Sequence, residues 1–144
     1  MSVFGAMDTS ASGMTAQRLR TDIIAQNIAN VNTTRDANGN VYKRKTVVFA
    51  EKNVTNFSNA LNTAIGSKSK GVKVTKIVED PSEGRQVYDP SHPDANEEGY
   101  VTYPNVNSVM EMTNLIDASR SYEANVTAFN ATKSMALKAL EIGK

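Results

Sequence analysis

Apolar positions between residues 14 and 31 recur at steps of three and four. Met14, Leu19, Ile23, Ile24, Ile28 and Val31 fall on one side of a 3.6-residue repeat, and the spacing predicts a helix over residues 8–31. Asp8 and Ser10 are residue types that cap such a start, while Asn30 and Asn32 are types that accept the left-handed backbone of a helix end. Gly13 weakens the first turns by about 1 kcal/mol relative to alanine. A longer run of the same period occupies the other end of the chain. Leu115, Ala118, Tyr122, Phe129, Ala136 and Leu140 form one stripe, with Val109, Met112, Ile116 and Val126 beside it. No Gly or Pro interrupts residues 108–142, Ser108 and Glu111 stand at capping-box spacing, and Gly143 supplies a stop. At 1.5 Å per residue that helix is about 50 Å long. It overhangs any core this chain can build, so it must pair with the N-terminal helix, with other copies, or with both.

Between the helices the period changes. VYKRKTVVF (41–49) is β-branched and aromatic and reads as a strand. VKVTKIVE (72–79) alternates, with Val72, Val74 and Val78 on one side, and RQVYD (85–89) and Tyr100–Tyr103 read as two further short strands. Asn38-Gly39 and DPSEG (80–84) are turn signals, and SHPDANEEG (91–99) is a polar loop. Val54, Phe57, Leu61 and Ile65 suit a short amphipathic helix over 53–65, stopped by Gly66 and joined to a link at 67–71. The expected fold class is α+β. Residues 1–32 form one axial helix, 106–144 form a second in a coiled-coil-like pair with the first, and 33–105 form a β-rich, extended outer segment.

Composition sharpens the picture of the helices. The 144 residues contain no Cys and no Trp, and the 40% hydrophobic share comes largely from Ala, Val and Met. That is thin for a compact core, because large side chains contribute about 1.5–3 kcal/mol each when buried. Both helices are rich in Ala, Ser, Thr and Asn. Such a helix gains little from one pairing and more from several neighbours, with amides and hydroxyls bonding across the seams. Charge is unevenly placed. Residues 43–76 hold eight basic side chains against Glu51 alone, and residues 77–98 hold seven acidic ones against Arg85. These blocks are either a self-screened, solvated surface or a means of orienting association between copies. Lys43, Arg44, Lys45, Lys73 and Lys76 on one side, with Glu79 and Asp80 on the other, are the candidate electrostatic residues.

Candidate chemistry is sparse. No basic and apolar leader of secretory type is visible, and no stretch approaches the roughly 20 apolar residues of a membrane span. The single histidine, His92, lies in DPSHPD and reads as part of a surface turn; Asp89 and Asp94 beside it make a weak metal set. Phosphate-loop, dinucleotide and nucleophile-elbow motifs are lacking, and no histidine base accompanies the abundant Ser, Thr and Tyr. The expectation is a non-enzyme without cofactor or metal. KRK (43–45) fits a strand edge guarded by charge better than a nucleic-acid contact, since the adjoining acidic block would repel phosphates.

IIAQNIANVNTT (23–34) and VYDPSHPDANEEGYVTYPNVN (87–107), running on into SVMEMTNLIDASRSYEANVTAFNATKSMALKALEIG (108–143), carry a resemblance. The chain resembles the flagellar rod and hook axial proteins, and among them the subunits of the proximal rod. Residues 50–71 match least and read as an insertion. The resemblance implies a structural subunit of the bacterial flagellar basal body, in the rod that spans the periplasm. It implies export through the flagellar type III apparatus without a cleaved signal, helical assembly around the export channel, and transmission of torque. The implied partners are other copies of the chain, other rod subunits, the rod-to-ring adaptor, the distal rod proteins and the export apparatus. The candidate assembly residues are Leu19, Ile23, Ile24, Ile28, Leu115, Tyr122, Phe129 and Leu140, together with Asn27, Asn30, Asn105 and Asn107 at the family's signature positions. Those amides either bond backbone groups where the helices meet the outer segment or simply cap the helices. A helical adaptor that binds a partner through the same stripes is the alternative function.

Overall fold

The computed structural model describes residues 3–36, 39–52, 61 and 71–142. The chain runs α1 (Val3–Ala29), β1 (Lys45–Glu51), β2 (Val72–Glu79), β3 (Arg85–Tyr88), β4 (Tyr100–Tyr103) and α2 (Ser108–Glu141). β1 pairs with β2, and β3 with β4, in two separate two-stranded sheets. The fold is α+β, with long terminal helices and a strand-rich middle.

α1 is already helical at Val3, so Asp8 and Ser10 are interior and cap nothing. VFGAM has no proline to stop the helix from propagating to Val3. The hydroxyls of the early turns are satisfied by bonding back along the helix: Thr9 Oγ1 donates to Gly5 O at 2.9 Å and Thr15 Oγ1 to Ala11 O at 3.0 Å. The far end also differs from expectation. No described residue other than glycine has a positive φ, so neither Asn30 nor Asn32 takes the left-handed conformation. The last turn tightens instead, with Val31 N donating to Ile28 O and Thr33 N to Asn30 O, and the Asn30 side chain bonds back to Gln26 O at 2.8 Å.

α2 starts on a different cap from the one its spacing suggests. Asn107 Oδ1 accepts from Val109 N at 3.0 Å and Met110 N at 3.2 Å, and Asn107 O accepts from Glu111 N at 2.9 Å. Asn107 is the N-cap, which places Glu111 one position beyond the capping box and frees its carboxylate. Asn107→Ala should lower the midpoint of thermal unfolding, at a cost of about 1 kcal/mol. Ser108→Ala should leave it nearly unchanged, and a reversed order would return the cap to Ser108.

β1 begins at Lys45, four residues later than the apolar pattern suggests, because side chains of both helices hold the preceding residues. Backbone bonds close the β1–β2 pair at its two ends, Asp80 N to Arg44 O at 2.8 Å and Lys52 N to Gly71 O at 2.7 Å, so the strands run antiparallel. β3 and β4 are antiparallel, with Arg85 opposite Tyr103 and Tyr88 opposite Tyr100. The Tyr88 and Tyr100 rings meet edge to face at 5.3 Å. Gly99, at φ 81°, lets the loop between these strands close under the Tyr88 ring. His92 belongs to that loop as a turn residue: its Nδ1 accepts from Asp94 N at 3.1 Å. Of the turn expected at 38–39, Asn38 lies outside the described residues, and Gly39 has φ 83° with its N–H donating to Asp36 O. The expected helix over 53–65 and the link after it also lie outside them, except for Leu61, which is helical, and Gly71.

The chain divides into two units. One comprises Met1–Leu19, Val48–Lys76 and Ala118–Lys144; the other comprises Arg20–Val47 and Ile77–Asp117. In the first, Ala16 and Ala118 are buried, and α1 meets α2 at Gly13. A Cβ on Gly13 would stand 2.7 Å from Asn125 Oδ1, and the Asn125 amide is itself tied to Ser121 O at 2.8 Å. Glycine is thus required for close approach, which outweighs its low helix propensity. Gly13→Val should cost about 1–3 kcal/mol by overpacking, read as a lowered midpoint in urea; a gain in stability would show that the helices separate freely there. In the second unit Ile23, Ile24 and Val101 are buried beside two polar side chains, Asn27 and Glu111.

Candidate assembly site

Asn27 and Glu111 sit 84 positions apart in sequence, yet the Asn27 Nδ2 donates to Glu111 Oε2 at 2.8 Å. Asn27 faces inward because it continues the stripe of Ile23 and Ile24 one turn further along α1. Glu111 faces inward because it lies seven residues, about two turns, before the buried Ala118 on α2. Between them enters the segment that leads into β1. Arg44 donates from Nε and Nη2 to Glu111 Oε1, at 3.0 and 2.7 Å, and Asn114 Nδ2 donates to the same oxygen at 3.1 Å. Asn27 grips the backbone of Lys45 on both sides, donating to its carbonyl at 2.8 Å and accepting from its N–H at 2.9 Å. Tyr42 OH donates to Asn27 Oδ1 at 2.9 Å. From the other side Asn105 Oδ1 accepts from Arg44 N at 2.8 Å, while its Nδ2 donates to Asp80 O and Ser82 O.

The Glu111 side chain is 1% exposed and that of Arg44 24%. Burial pushes the Glu111 carboxyl upward. The donors from Asn27, Arg44 and Asn114, with the Arg44 charge, outweigh that and hold it below the ordinary glutamate range. Burial raises the Tyr42 phenol, and the nearby Glu79 and Glu111 charges add to the effect. Asp80 is held low mainly by the Ser82 hydroxyl and N–H, with Arg44 Nη1 at 3.9 Å contributing less. This polar anchor is complete within one chain.

The rest of α2 is open. Its covered stripe mixes polar and apolar residues: Glu111, Ala118 and Thr132 are buried, and Asn114, Leu115, Ser121, Asn125, Val126, Phe129 and Ala136 are half-buried. On the opposite side of the first turns Val109, Met112 and Ile116 are exposed. At the far end Met135, Leu137, Leu140 and Ile142 are 61, 53, 73 and 87% exposed. At 100° per residue Met135 and Ile142 lie on one side of the helix, and Leu137 and Leu140 on the other. Apolar side chains on two opposite sides of one helical tip need covering from more than one direction.

The residues expected at an assembly surface therefore separate. Ile23, Ile24 and Asn27 are buried within the chain, and Leu19, Ile28, Leu115 and Phe129 are half-buried. Tyr122 and Leu140 are exposed. Asn105 and Asn27 bond backbone groups of the middle segment, Asn107 caps α2, and Asn30 bonds its own helix end. Of the electrostatic set, Lys43, Lys73, Lys76 and Glu79 are exposed, and the Lys45 ammonium lies 5.6 Å from the Tyr42 ring centre. Arg44 departs from its reading as an edge-guarding charge, because its guanidinium is taken up by Glu111. Glu111 itself was not foreseen as a site residue. Its signal was present: once Asn107 is the cap, an acid on the covered stripe is left without a local role.

Known families match both ends of the chain. Residues 7–35 match the family described as flagella basal body rod protein, and residues 97–142 match the family described as flagellar basal body rod FlgEFG protein C-terminal. Both descriptions fall in one class, the axial proteins of the flagellar rod. Over 151 aligned residues the chain is 51% identical to the flagellar basal-body rod protein FlgC of Bacillus subtilis (strain 168), covering 100% of each. It is 43% identical to FlgC of Borreliella burgdorferi, over 99% of this chain and 98% of the relative, and 39% identical to FlgC of Escherichia coli O6:H1, over 100% of each. The chain belongs to the FlgC family of flagellar basal-body rod proteins.

Proposed function

We infer that the chain is a structural subunit of the bacterial flagellar basal-body rod, resident in the basal body and assembled there with other rod components. The supporting observation is the tip of α2, whose apolar side chains stand open on two opposite sides, as a subunit surrounded by neighbours requires. The full-length likeness to FlgC proteins supplies the identity of the assembly. Within it we place the chain in the proximal rod, arranged helically around the export channel, passing torque along the axis, and touching the rod-to-ring adaptor and the distal rod. Export through the flagellar type III apparatus, and a role free of catalysis, complete the reading. In the first unit's helices, residues 3–19 and 118–142, Ala16, Ala118 and Thr132 are the fully buried side chains, and neighbouring subunits add to the order that the chain supplies by itself.

Electron cryo-microscopy of basal bodies isolated from the source cells tests this. The expected result is density for the chain in the rod segment next to the membrane ring, with α2 tips packed among neighbouring helices. Basal bodies lacking the chain, with a fully protected monomer in the cytosol, would favour the helical adaptor. The charge blocks add a separate expectation. Reversing Lys73 and Lys76 to Glu should reduce incorporation into the rod, and raised salt should weaken association of the unaltered chain. Indifference to both would make the blocks a solvated surface.

A further inference from the structure

The β3–β4 pair presents two unlike faces. Arg85, Val87, Val101 and Tyr103 alternate onto one, where Val101 is fully buried. Gln86, Tyr88, Tyr100 and Thr102 fall on the other, and there the Tyr88 and Tyr100 rings are 65 and 41% exposed. Pro90, also exposed, closes on Gly99 beside the Tyr88 ring and extends this apolar surface. The tip is held ready. Asn96 Oδ1 accepts from Glu98 N at 3.0 Å and from Tyr100 N at 2.8 Å, and Asp89 Oδ1 accepts from Ser91 N and Ser91 Oγ. An aromatic pair fixed in this way has little freedom left to lose on binding, and tyrosine is enriched among the residues that anchor interfaces. We propose that the Tyr88–Tyr100 tip of one copy docks on the Lys73–Ile77 face of β2 in a second copy.

Charge selects the occupant. Residues 86–103 carry Asp89, Asp94, Glu97 and Glu98 and no Lys or Arg. Asp94 is engaged by Thr34 and Arg35, and Asp89 by Ser91. Glu97 and Glu98 are exposed, and among the described residues neither carboxylate has an ion pair or a hydrogen bond. Two such acidic tips repel, so the surface does not fit itself. Its complement stands on the same chain. In β2, Lys73, Thr75 and Ile77 alternate onto one face, and all three are exposed, Ile77 by 47%. Lys73 is likewise without an ion pair among the described residues. Lys73 and Ile77 lie about 13 Å apart along the strand. They offer a cation to the glutamates and an apolar side chain to the rings. Two different patches of one chain make a heterologous contact, which repeats from copy to copy around a ring or along an open helix. The contact rests on the reading of the chain as a rod subunit, and it names which face of one copy meets which face of the next.

The chain has no cysteine, so an introduced pair reports the contact without background. Glu98→Cys/Lys73→Cys, expressed in place of the unaltered chain, should yield a ladder of covalent multimers when isolated basal bodies are oxidised. Neither single variant should yield that ladder. An intrachain disulfide, or multimers no more abundant than in the single variants, would overturn the proposal. If the cysteine variant is not incorporated, Glu98→Lys and Lys73→Glu decide. Each should lower the amount of chain recovered in basal bodies about tenfold, and the two combined in one chain should restore it. Full incorporation of both single variants, or no recovery in the combination, refutes the contact and places a different component opposite the tip. Those results leave the unaltered chain in the rod. Its absence from basal bodies would instead defeat the rod reading, and the contact with it.

Discussion

Arg44→Met should destabilise the second unit by about 3–5 kcal/mol, the cost of leaving a buried charge without its partner. Glu111 has almost no access to water, so without the guanidinium its carboxylate keeps only amide donors. Glu111→Met should cost less, because the orphaned Arg44 is 24% exposed and has Asp80 nearby. The double variant Arg44→Met/Glu111→Met should recover most of the loss, since two apolar side chains of similar size demand no pairing. Urea unfolding monitored by tyrosine fluorescence reads all three: the chain has five tyrosines and no tryptophan, and Tyr42 touches the anchor. Equal and additive single costs would mean that the two charges act independently.

Leu137→Asp/Leu140→Asp should abolish swimming while leaving the monomer's stability within about 0.5 kcal/mol, the usual range for surface changes. Both side chains are more than half exposed in the single chain, so little is lost there. In an assembly each leucine contributes up to about 1.5–3 kcal/mol when covered, and a carboxylate in its place adds a desolvation cost. Together these correspond to at least a hundredfold weaker association. The fraction of chain recovered in isolated basal bodies measures it directly. Normal incorporation of the double variant would show that the tip faces solvent in the rod.

Periodicity carried most of the secondary structure. The two helices, β2, β3 and β4 are visible in the spacing of Ile23, Ile28, Leu115 and Phe129 and in the alternation of 72–79, because local periods report local geometry. The features that escaped depend on contacts between distant residues. Nothing near Arg44 distinguishes it from Lys43 and Lys45, which it resembles in charge and not in role. Its partner is 67 positions away. Glu111 was explained too easily by a cap three residues earlier, and only the choice of Asn107 over Ser108 exposes it. Gly13 looked like a defect while α1 was considered alone. Beside Asn125 it is the one residue small enough for that contact. The amides of Asn27 and Asn105 did stand out in the sequence, and the alternative of bonding backbone groups, open at that stage, describes both of them here.

The grip of Asn27 on Lys45 has a consequence for how the gene can change. By reading one residue's N–H and C=O together, the amide fixes register as a neighbouring strand would, and a slip of one position would present the wrong residue. The start of β1 is thereby indexed to α1 independently of the residues beyond it. The bond from Lys52 N to Gly71 O closes the far end of the β1–β2 pair. Residues added or removed between Lys52 and Gly71 leave both closing points in place. Insertions and deletions arising there should be tolerated, whereas a single-residue deletion between Ala29 and Lys45 would strain the indexed register.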